Sequence, residues 1–199
     1  NARITSVDTF GGTKTVTVEI GGRIDTIRAG EGEMVDIKLN GFASIETVTA
    51  YDTMLKVETG DAFVQTIKGF GTNTDIIVGS GGVGTIRSVS DDQKNNHTVV
   101  ADGIVTLIDF NDVSSNPDNS QSSNITLNSF AGNLRLGQGK DVVTTGDNAA
   151  YVESISTNGG NDTVNLGASG AGSVNLSLGN AKISVKRLSD EDGGGYFDT

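Results

Sequence analysis

A four-residue phrase, apolar–x–Ser/Thr–apolar, recurs along this chain of 199 residues at nearly constant spacing. Its copies begin at Ile4, Ile24, Ile45, Val64, Val83, Ile104 and Val152, with a weaker copy at Asn124 and a degenerate one at Ser173. Subtracting successive start positions gives intervals of 20, 21, 19, 19, 21, 20, 28 and 21 residues. Because a unit of this length cannot bury its own apolar face, the copies must stack on one another to form a shared core.

A second apolar run lies between successive phrases, and glycine-rich turns separate the two. The second runs span residues 15–18, 36–39, 55–57, 75–78, 98–100, 141–143 and 162–166. Short Val, Ile and Thr runs bounded by glycine are typical of strands, and stretches with helical periodicity are missing. We therefore predict an all-β fold, a single parallel β-solenoid domain over residues 1–199 with roughly nine coils. At about 4.8 Å per coil, its length is on the order of 40–45 Å.

Three segments interrupt the rhythm of the repeat. Residues 88–96 are predicted to form a polar turn, and residues 109–123, which contain the chain's one proline, a surface loop. The 28-residue interval contains an extra apolar segment at residues 133–136, interpreted as a third strand in that coil. The glycine-rich tail at residues 193–199 suggests that this chain is a fragment of a longer protein.

The composition excludes several functional classes. The net charge of −11 disfavours nucleic acid and anionic membranes as partners, and no apolar run is long enough for membrane insertion. The absence of cysteine and the presence of one histidine remove most thiol and His-based chemistry. The acidic clusters at residues 91–92 and 190–192 lie in polar runs and are interpreted as solvated. We therefore predict that the protein is not an enzyme.

Two turns combine glycine with an aspartate that opens the following strand. The candidate metal ligands in these turns are Gly137, Gly139, Asp141, Gly159, Gly160 and Asp162. Calcium takes six to eight oxygen ligands in irregular geometry, which stacked turns can supply as carbonyls and carboxylates. Looser versions of the pattern place Asp36 and Asp75 as further candidates. The alternative is an ordinary Gly-Asx turn, in which the aspartate bonds nearby amides.

These two turns resemble the nonapeptide G-G-x-G-x-D-x-U-x of the RTX family, in which U is a large apolar residue. The matching residues are Gly137, Gly139, Asp141 and Val143 in one copy, and Gly160, Asp162 and Val164 in the other. The resemblance implies calcium (Ca2+) bound between the turns of a β-roll, and secretion from a Gram-negative bacterium. The irregular Thr-, Gly- and Val-rich sequence is most similar to those of surface-layer proteins and large adhesins.

The expected function is thus a calcium-stabilised, non-catalytic structural segment of an extracellular bacterial surface protein. Its expected partners are copies of itself or other cell-surface components, with polysaccharide as a further candidate. One alternative is a carbohydrate-active or glycan-binding β-helix, and another is a calcium-independent passenger segment of a self-transported protein. The recurring Ser/Thr position is interpreted as a hydroxyl ladder rather than an ice-binding array, because neighbouring positions carry mixed charges.

Overall fold

The computed structural model describes residues 3–19, 21–32, 34–71, 73–89, 95–111, 121–147, 150–177 and 179–186. Eighteen strands in this part of the chain alternate between two parallel sheets of nine strands each. The described residues form no helix, and so none that is long and apolar enough to cross a membrane. The predicted all-β parallel solenoid is confirmed, and its expected number of about nine coils is close to the nine strand pairs.

The odd-numbered strands form the first sheet, in chain order. They are β1 (Arg3–Phe10), β3 (Arg23–Gly30), β5 (Ser44–Tyr51), β7 (Phe63–Phe70), β9 (Val83–Val89), β11 (Val105–Asp109), β13 (Ala131–Leu136), β15 (Val152–Thr157) and β17 (Ala171–Leu176). The even-numbered strands form the second sheet, also in chain order. They are β2 (Thr13–Val18), β4 (Met34–Leu39), β6 (Met54–Glu58), β8 (Thr74–Val78), β10 (Asn96–Ala101), β12 (Ser122–Leu127), β14 (Val142–Thr145), β16 (Thr163–Leu166) and β18 (Lys182–Val185).

The core is a stack of apolar columns between the two sheets. Alternation along each strand turns every second side chain inward, as β4 illustrates with Val35, Ile37 and Leu39 buried. In-register parallel pairing then places like residues above one another, for example Ile27 beside Val48. Each coil thus buries its apolar face against its neighbours, as the repeat length predicts.

The first and last coils are the least covered. Strand β1 is mostly exposed, and β18 is exposed along its whole length. A cavity of about 510 Å³ opens beside the first coil, lined by the apolar side chains Ile4, Val7, Val16 and Val18. Within the described residues, β1 and β18 are the outermost strands of their sheets and pair on one side.

Two assignments made from the repeat phrase are wrong. Residues 124–127 belong to β12 in the second sheet, whereas the extra segment at 133–136 is part of β13, an ordinary strand of the first sheet. The phrase at Ile104 is also shifted by one, since Val105 pairs with Val83. The phrase is ambiguous because both sheets alternate apolar with hydroxyl-bearing residues, and only burial and pairing select the sheet.

The observed strand pairing also changes which residues belong to the recurring Ser/Thr column. Ser6, Thr26, Thr47, Thr66 and Thr85 do stack in register. The column then continues through Leu107, Asn133, Ser154 and Ser173, so Thr106 and Thr126 are not members. Ser154 donates a hydrogen bond to Asn133 across one coil spacing, at 2.6 Å.

The irregular segments are shorter than predicted. Within 88–96, Ser88 and Val89 end β9 and Asn96 begins β10. Within 109–123, Asp109 ends β11, and Ser122 and Ser123 begin β12. Residues 90–94, 112–120 and 187–199 lie outside the described residues, and so do both acidic clusters and the glycine-rich tail.

Candidate metal centre and the buried polar column

One inner column of the second sheet changes from apolar to polar along the rod. At its apolar end Val35 lies beside Leu55, and Leu55 lies beside Thr74. The polar members, here called the polar column, are Thr74, His97, Ser123, Asp141 and Asp162. All five side chains are buried. The two best predicted metal ligands are therefore side chains of the rod interior.

Asp141 and Asp162 each bond to the coil before them. The backbone N–H of Ser123 donates to Asp141 Oδ1 at 2.8 Å, and the backbone N–H of Asp141 donates to Asp162 Oδ1 at 3.0 Å. Each aspartate directly precedes a short strand, β14 or β16. Its carboxylate accepts an N–H of the preceding coil, 18 residues away for Asp141 and 21 for Asp162, so neither bond is the local bond of an Asx turn.

The second oxygen of each carboxylate has no partner among the described residues. Both Asp141 Oδ2 and Asp162 Oδ2 are buried without a hydrogen-bond donor, and so is Ser123 Oγ. Burial and the nearby charge of Asp162 together raise the pKa of Asp141 to about 7, although the hydrogen bond from the Ser123 N–H acts in the opposite direction. A dry carboxylate with a spare oxygen is stabilised by a proton or by a cation.

Gly139 and Gly160 pack too closely against the preceding coil for any side chain. A Cβ at Gly139 would overlap the carbonyl oxygen of Gln121, and one at Gly160 would overlap the carbonyl oxygen of Gly139. Gly160 also has φ +98°, a conformation that L side chains rarely adopt. Gly137 is buried, and Gly159 has φ +142°. Close stacking of turns thus accounts for Gly139 and Gly160, and the Gly139 carbonyl lies against the next turn.

Calcium needs several oxygen ligands, and the oxygen atoms around Asp141 and Asp162 meet part of that need. No group of three or more His, Cys, Asp or Glu side chains gathers within the described residues. Asp141 and Asp162 lie in neighbouring coils, and each has one carboxylate oxygen without a partner. Carboxylate oxygens are ligands of the kind that calcium takes, so these two side chains are the part of a calcium site that the described residues offer.

Asp36 and Asp75 lie in a different environment. Both are half-buried residues of the second sheet, in β4 and β8, and the register places Lys56 between them. Asp36 also lies 3.7 Å from Lys38 Nζ. The structure therefore places lysines beside these two candidates and does not bring either of them to Asp141 and Asp162.

His97 is a member of the polar column to which the sequence analysis assigned no role. Its ring stacks on Phe110 with centroids 4.3 Å apart. Its Nδ1 lies 2.9 Å from Thr74 Oγ1, and its Nε2 lies 2.7 Å from Gln121 Oε1. Burial lowers the pKa of His97 to about 4, so the ring is neutral at physiological pH. The alternation His97-x-Val99-x-Ala101 was the sequence signal that this side chain points inward.

Comparison of this chain with protein-family models, with curated proteins and with solved structures gives no match.

Proposed function

We propose that this chain is a calcium-stabilised, non-catalytic structural segment of an extracellular bacterial surface protein. The observation that carries the proposal is the pair of unpartnered oxygens, Asp141 Oδ2 and Asp162 Oδ2, in neighbouring coils beside glycine turns. Ionising both carboxylates without a cation places two negative charges in a dry interior, which costs stability. A divalent cation bound there would offset that cost and join two coils.

The expected consequence is linkage between calcium and folding. An ion that binds the folded rod and not the unfolded chain stabilises the fold by about 2.7 kcal/mol at a concentration of 100 times its Kd. The folded rod would then be less stable where calcium is scarce and more stable outside the cell. This dependence is the physical basis for placing the protein in the extracellular space.

Self-association is the second part of the proposal. In the part of the chain that the structure describes, the outermost strands β1 and β18 pair on one side and expose apolar side chains, including Ile4, Ile183 and Val185. Unpaired edges of this kind are templates for pairing with another chain. Such pairing would continue the stack between copies, which suits a surface layer or an adhesin stalk.

The test is urea unfolding monitored by circular dichroism at pH 8, in millimolar calcium and then in excess chelator. We expect a higher unfolding midpoint in calcium and no comparable gain in magnesium. Asp141→Asn and Asp162→Asn should each remove the gain, and Asp102→Asn, on an exposed turn, should keep it. Equal midpoints in calcium and chelator would contradict the calcium proposal and favour the calcium-independent passenger segment.

A glycan-binding solenoid is the second candidate function. It is favoured by aromatic side chains that the fold aligns on the outside of the rod, where Tyr51 is 43% exposed and stacks on the half-buried Phe70. It needs neither calcium nor catalysis.

A further inference from the structure

Apolar side chains line up at the corner of the rod where the strands of the first sheet begin. The residues that directly precede the paired positions Val64, Val83, Val105, Ala131 and Val152 are Phe63, Gly82, Ile104, Phe130 and Tyr151. The last four of these residues each accept a main-chain N–H from the coil before, so the corner stacks in the same register as the strands. We call Phe63, Ile104, Phe130 and Tyr151 the apolar row.

The apolar row is open to solvent. Phe63 is 42% exposed, Ile104 55% and Tyr151 40%, whereas Phe130 is half-buried with its ring centroid 6.4 Å from that of Tyr151. Phe42, in the turn before the preceding strand β5, is 83% exposed, more than any other large apolar side chain among the described residues. The row spans about 19 Å along the rod axis. An aligned apolar surface of this kind indicates a contact with a partner.

A flat strip lies beside the apolar row on the outer face of the sheet. Its column contains Gln65, Gly84, Thr106 and Gly132 in register. A Cβ at Gly84 would lie 2.6 Å from the Gln65 carbonyl oxygen, and one at Gly132 would lie 2.2 Å from that of Thr106. Side chains are therefore excluded at two of these four positions, which leaves room for a partner that packs along the row.

Three exposed carboxylates flank the apolar row. Asp61 and Asp102 lie in turns, two residues before the row member of their coils, and Glu153 lies on the sheet, two residues after the row member of its coil. Ser80 donates a hydrogen bond to Asp61, and Asn128 donates one to Asp102 at 2.8 Å. None of the three carboxylates forms an ion pair within the part of the chain that the structure describes. Their negative charges are therefore free to interact with a cationic partner.

Cations at the two ends of this corner are already paired. Arg23 lies 3.1 Å from Asp25 and 3.6 Å from Glu46, and it belongs to the coil two before that of Phe63. At the other end Lys186 pairs with Asp147. Neither cation neutralises the carboxylates beside the apolar row. The surface that this corner offers is thus apolar along its middle and negative on both sides.

This combination selects the chemistry of the partner. Nucleic acid and anionic membranes carry the same sign of charge as the flanking carboxylates and as the whole chain, with its net charge of −11. A second copy that docked through the same corner would place carboxylates against carboxylates. A purely apolar partner would remove the carboxylates from water without compensation. A segment with apolar residues on one face and lysine or arginine beside them covers the row and forms charge-assisted bonds with the carboxylates.

We propose that the apolar row binds a cationic amphipathic segment of another protein, which lies along the rod with its basic residues on Asp61, Asp102 and Glu153. The surface lies on the first sheet, away from Asp141 and Asp162 of the second, and it requires no calcium. This inference therefore goes beyond the structural role proposed above, because it assigns the side of the rod to a partner of opposite charge.

The test is isothermal titration calorimetry with three synthetic helical peptides of about 16 residues, a length that spans about 24 Å. The first has leucine on one face and lysine on the other, the second replaces leucine with serine, and the third replaces lysine with glutamate. We expect the leucine–lysine peptide to bind at least about tenfold more tightly than either of the others, because it alone satisfies both parts of the surface.

Variants of the chain assign the binding to this corner. Combined Phe63→Ser and Ile104→Ser should weaken binding of the leucine–lysine peptide about tenfold or more. Combined Asp61→Asn and Glu153→Gln should weaken it and reduce its salt dependence, since two charge pairs are lost. These four side chains are exposed, so circular dichroism should show the wild-type fold in both variants.

Matched controls come from the opposite edge of the same sheet. Phe10→Ser removes a ring that is 57% exposed, and Asp52→Asn removes a carboxylate from an exposed turn. Both should leave affinity unchanged. Absence of binding, equal binding of the serine or glutamate peptide, or an equal loss in the controls would overturn the proposal. Tighter binding to neutral phospholipid vesicles, lost in the Phe63 and Ile104 variant, would also overturn it, because the row would then be a lipid contact.

The same samples separate this proposal from the calcium proposal. A protein that shows the expected calcium response but binds none of the peptides refutes only the apolar row as a binding surface. A protein that binds the leucine–lysine peptide but has equal unfolding midpoints in calcium and in chelator refutes only the role of calcium.

Discussion

Replacing Asp141 with asparagine should stabilise the metal-free protein relative to wild type at high pH, and should leave its stability close to that of wild type at low pH. Burial raises the pKa of this carboxyl from 3.8 to about 7. Between these values the folded state holds a proton that the unfolded chain has released, so stability is lost as pH rises. The change in pKa from 3.8 to about 7 corresponds to about 4 kcal/mol. Asparagine has no such titration and still offers an oxygen to the Ser123 N–H.

The prediction concerns the difference between variant and wild type, because other groups titrate in both. We expect the difference in the free energy of unfolding, Asp141→Asn minus wild type, to be near zero or slightly negative at pH 4. By pH 8 it should have risen by about 4 kcal/mol. The rise should occur between about pH 4 and pH 7, where the two proton affinities differ.

The assay is urea unfolding in chelator from pH 4 to pH 8, followed by circular dichroism. Hydrogen exchange of the Ser123 amide, which donates to Asp141, gives a local readout at the same pH values. Asp102→Asn is the control, because it removes one carboxylate from an exposed turn outside the polar column. A difference for Asp141→Asn that changes by less than about 1 kcal/mol over this range would refute the reasoning.

Three further predictions test the interior of the rod. Gly160→Ala should destabilise by several kcal/mol, since it forces a Cβ onto the Gly139 carbonyl at positive φ, and a melting temperature like wild type would contradict the stacking. Ile67→Ala should lower the free energy of unfolding in urea by about 2–5 kcal/mol, and Ile77→Ala should lower it much less because Ile77 is 38% exposed. Equal losses would argue that the two side chains do not point inward and outward as assigned. The free energy of unfolding of wild type should fall by about 3 kcal/mol between pH 6.5 and 4, because the buried His97 ring resists protonation, and His97→Gln should remove this fall. An unchanged pH profile in the variant would show that His97 is not buried in its neutral form.

Local pattern was sufficient to predict strands, turns and the repeat. Alternation of apolar and polar residues at positions 36–39 predicts a half-buried strand, and β4 occupies Met34–Leu39. Glycine pairs predict the turns because few other residues adopt the required backbone, as at Gly11 and Gly12 with φ +71° and +66°. These signals act within a few residues, so they can be read without knowing the partner strand.

Local pattern could not predict which of the two sheets each strand joins. The phrase at 124–127 matches the first sheet by composition and belongs to the second by pairing. Both sheets follow the same alternation, so the difference lies in which coil each strand contacts about 20 residues away. The extra residues of that coil fall before Ser122, which shifts the phrase by half a coil.

The candidate site shows the same division. The sequence by itself determined that Asp141 and Asp162 follow glycine turns one repeat apart, and that the chain stacks into a parallel rod. Only the tertiary structure decided that both carboxylates point into the dry interior, that Lys56 lies between Asp36 and Asp75, and that Tyr51 stacks on Phe70 beside Lys68. Period and alternation are properties of one coil. Burial, charge pairing and the alignment of rows arise between coils, from a register set by how all of them pack.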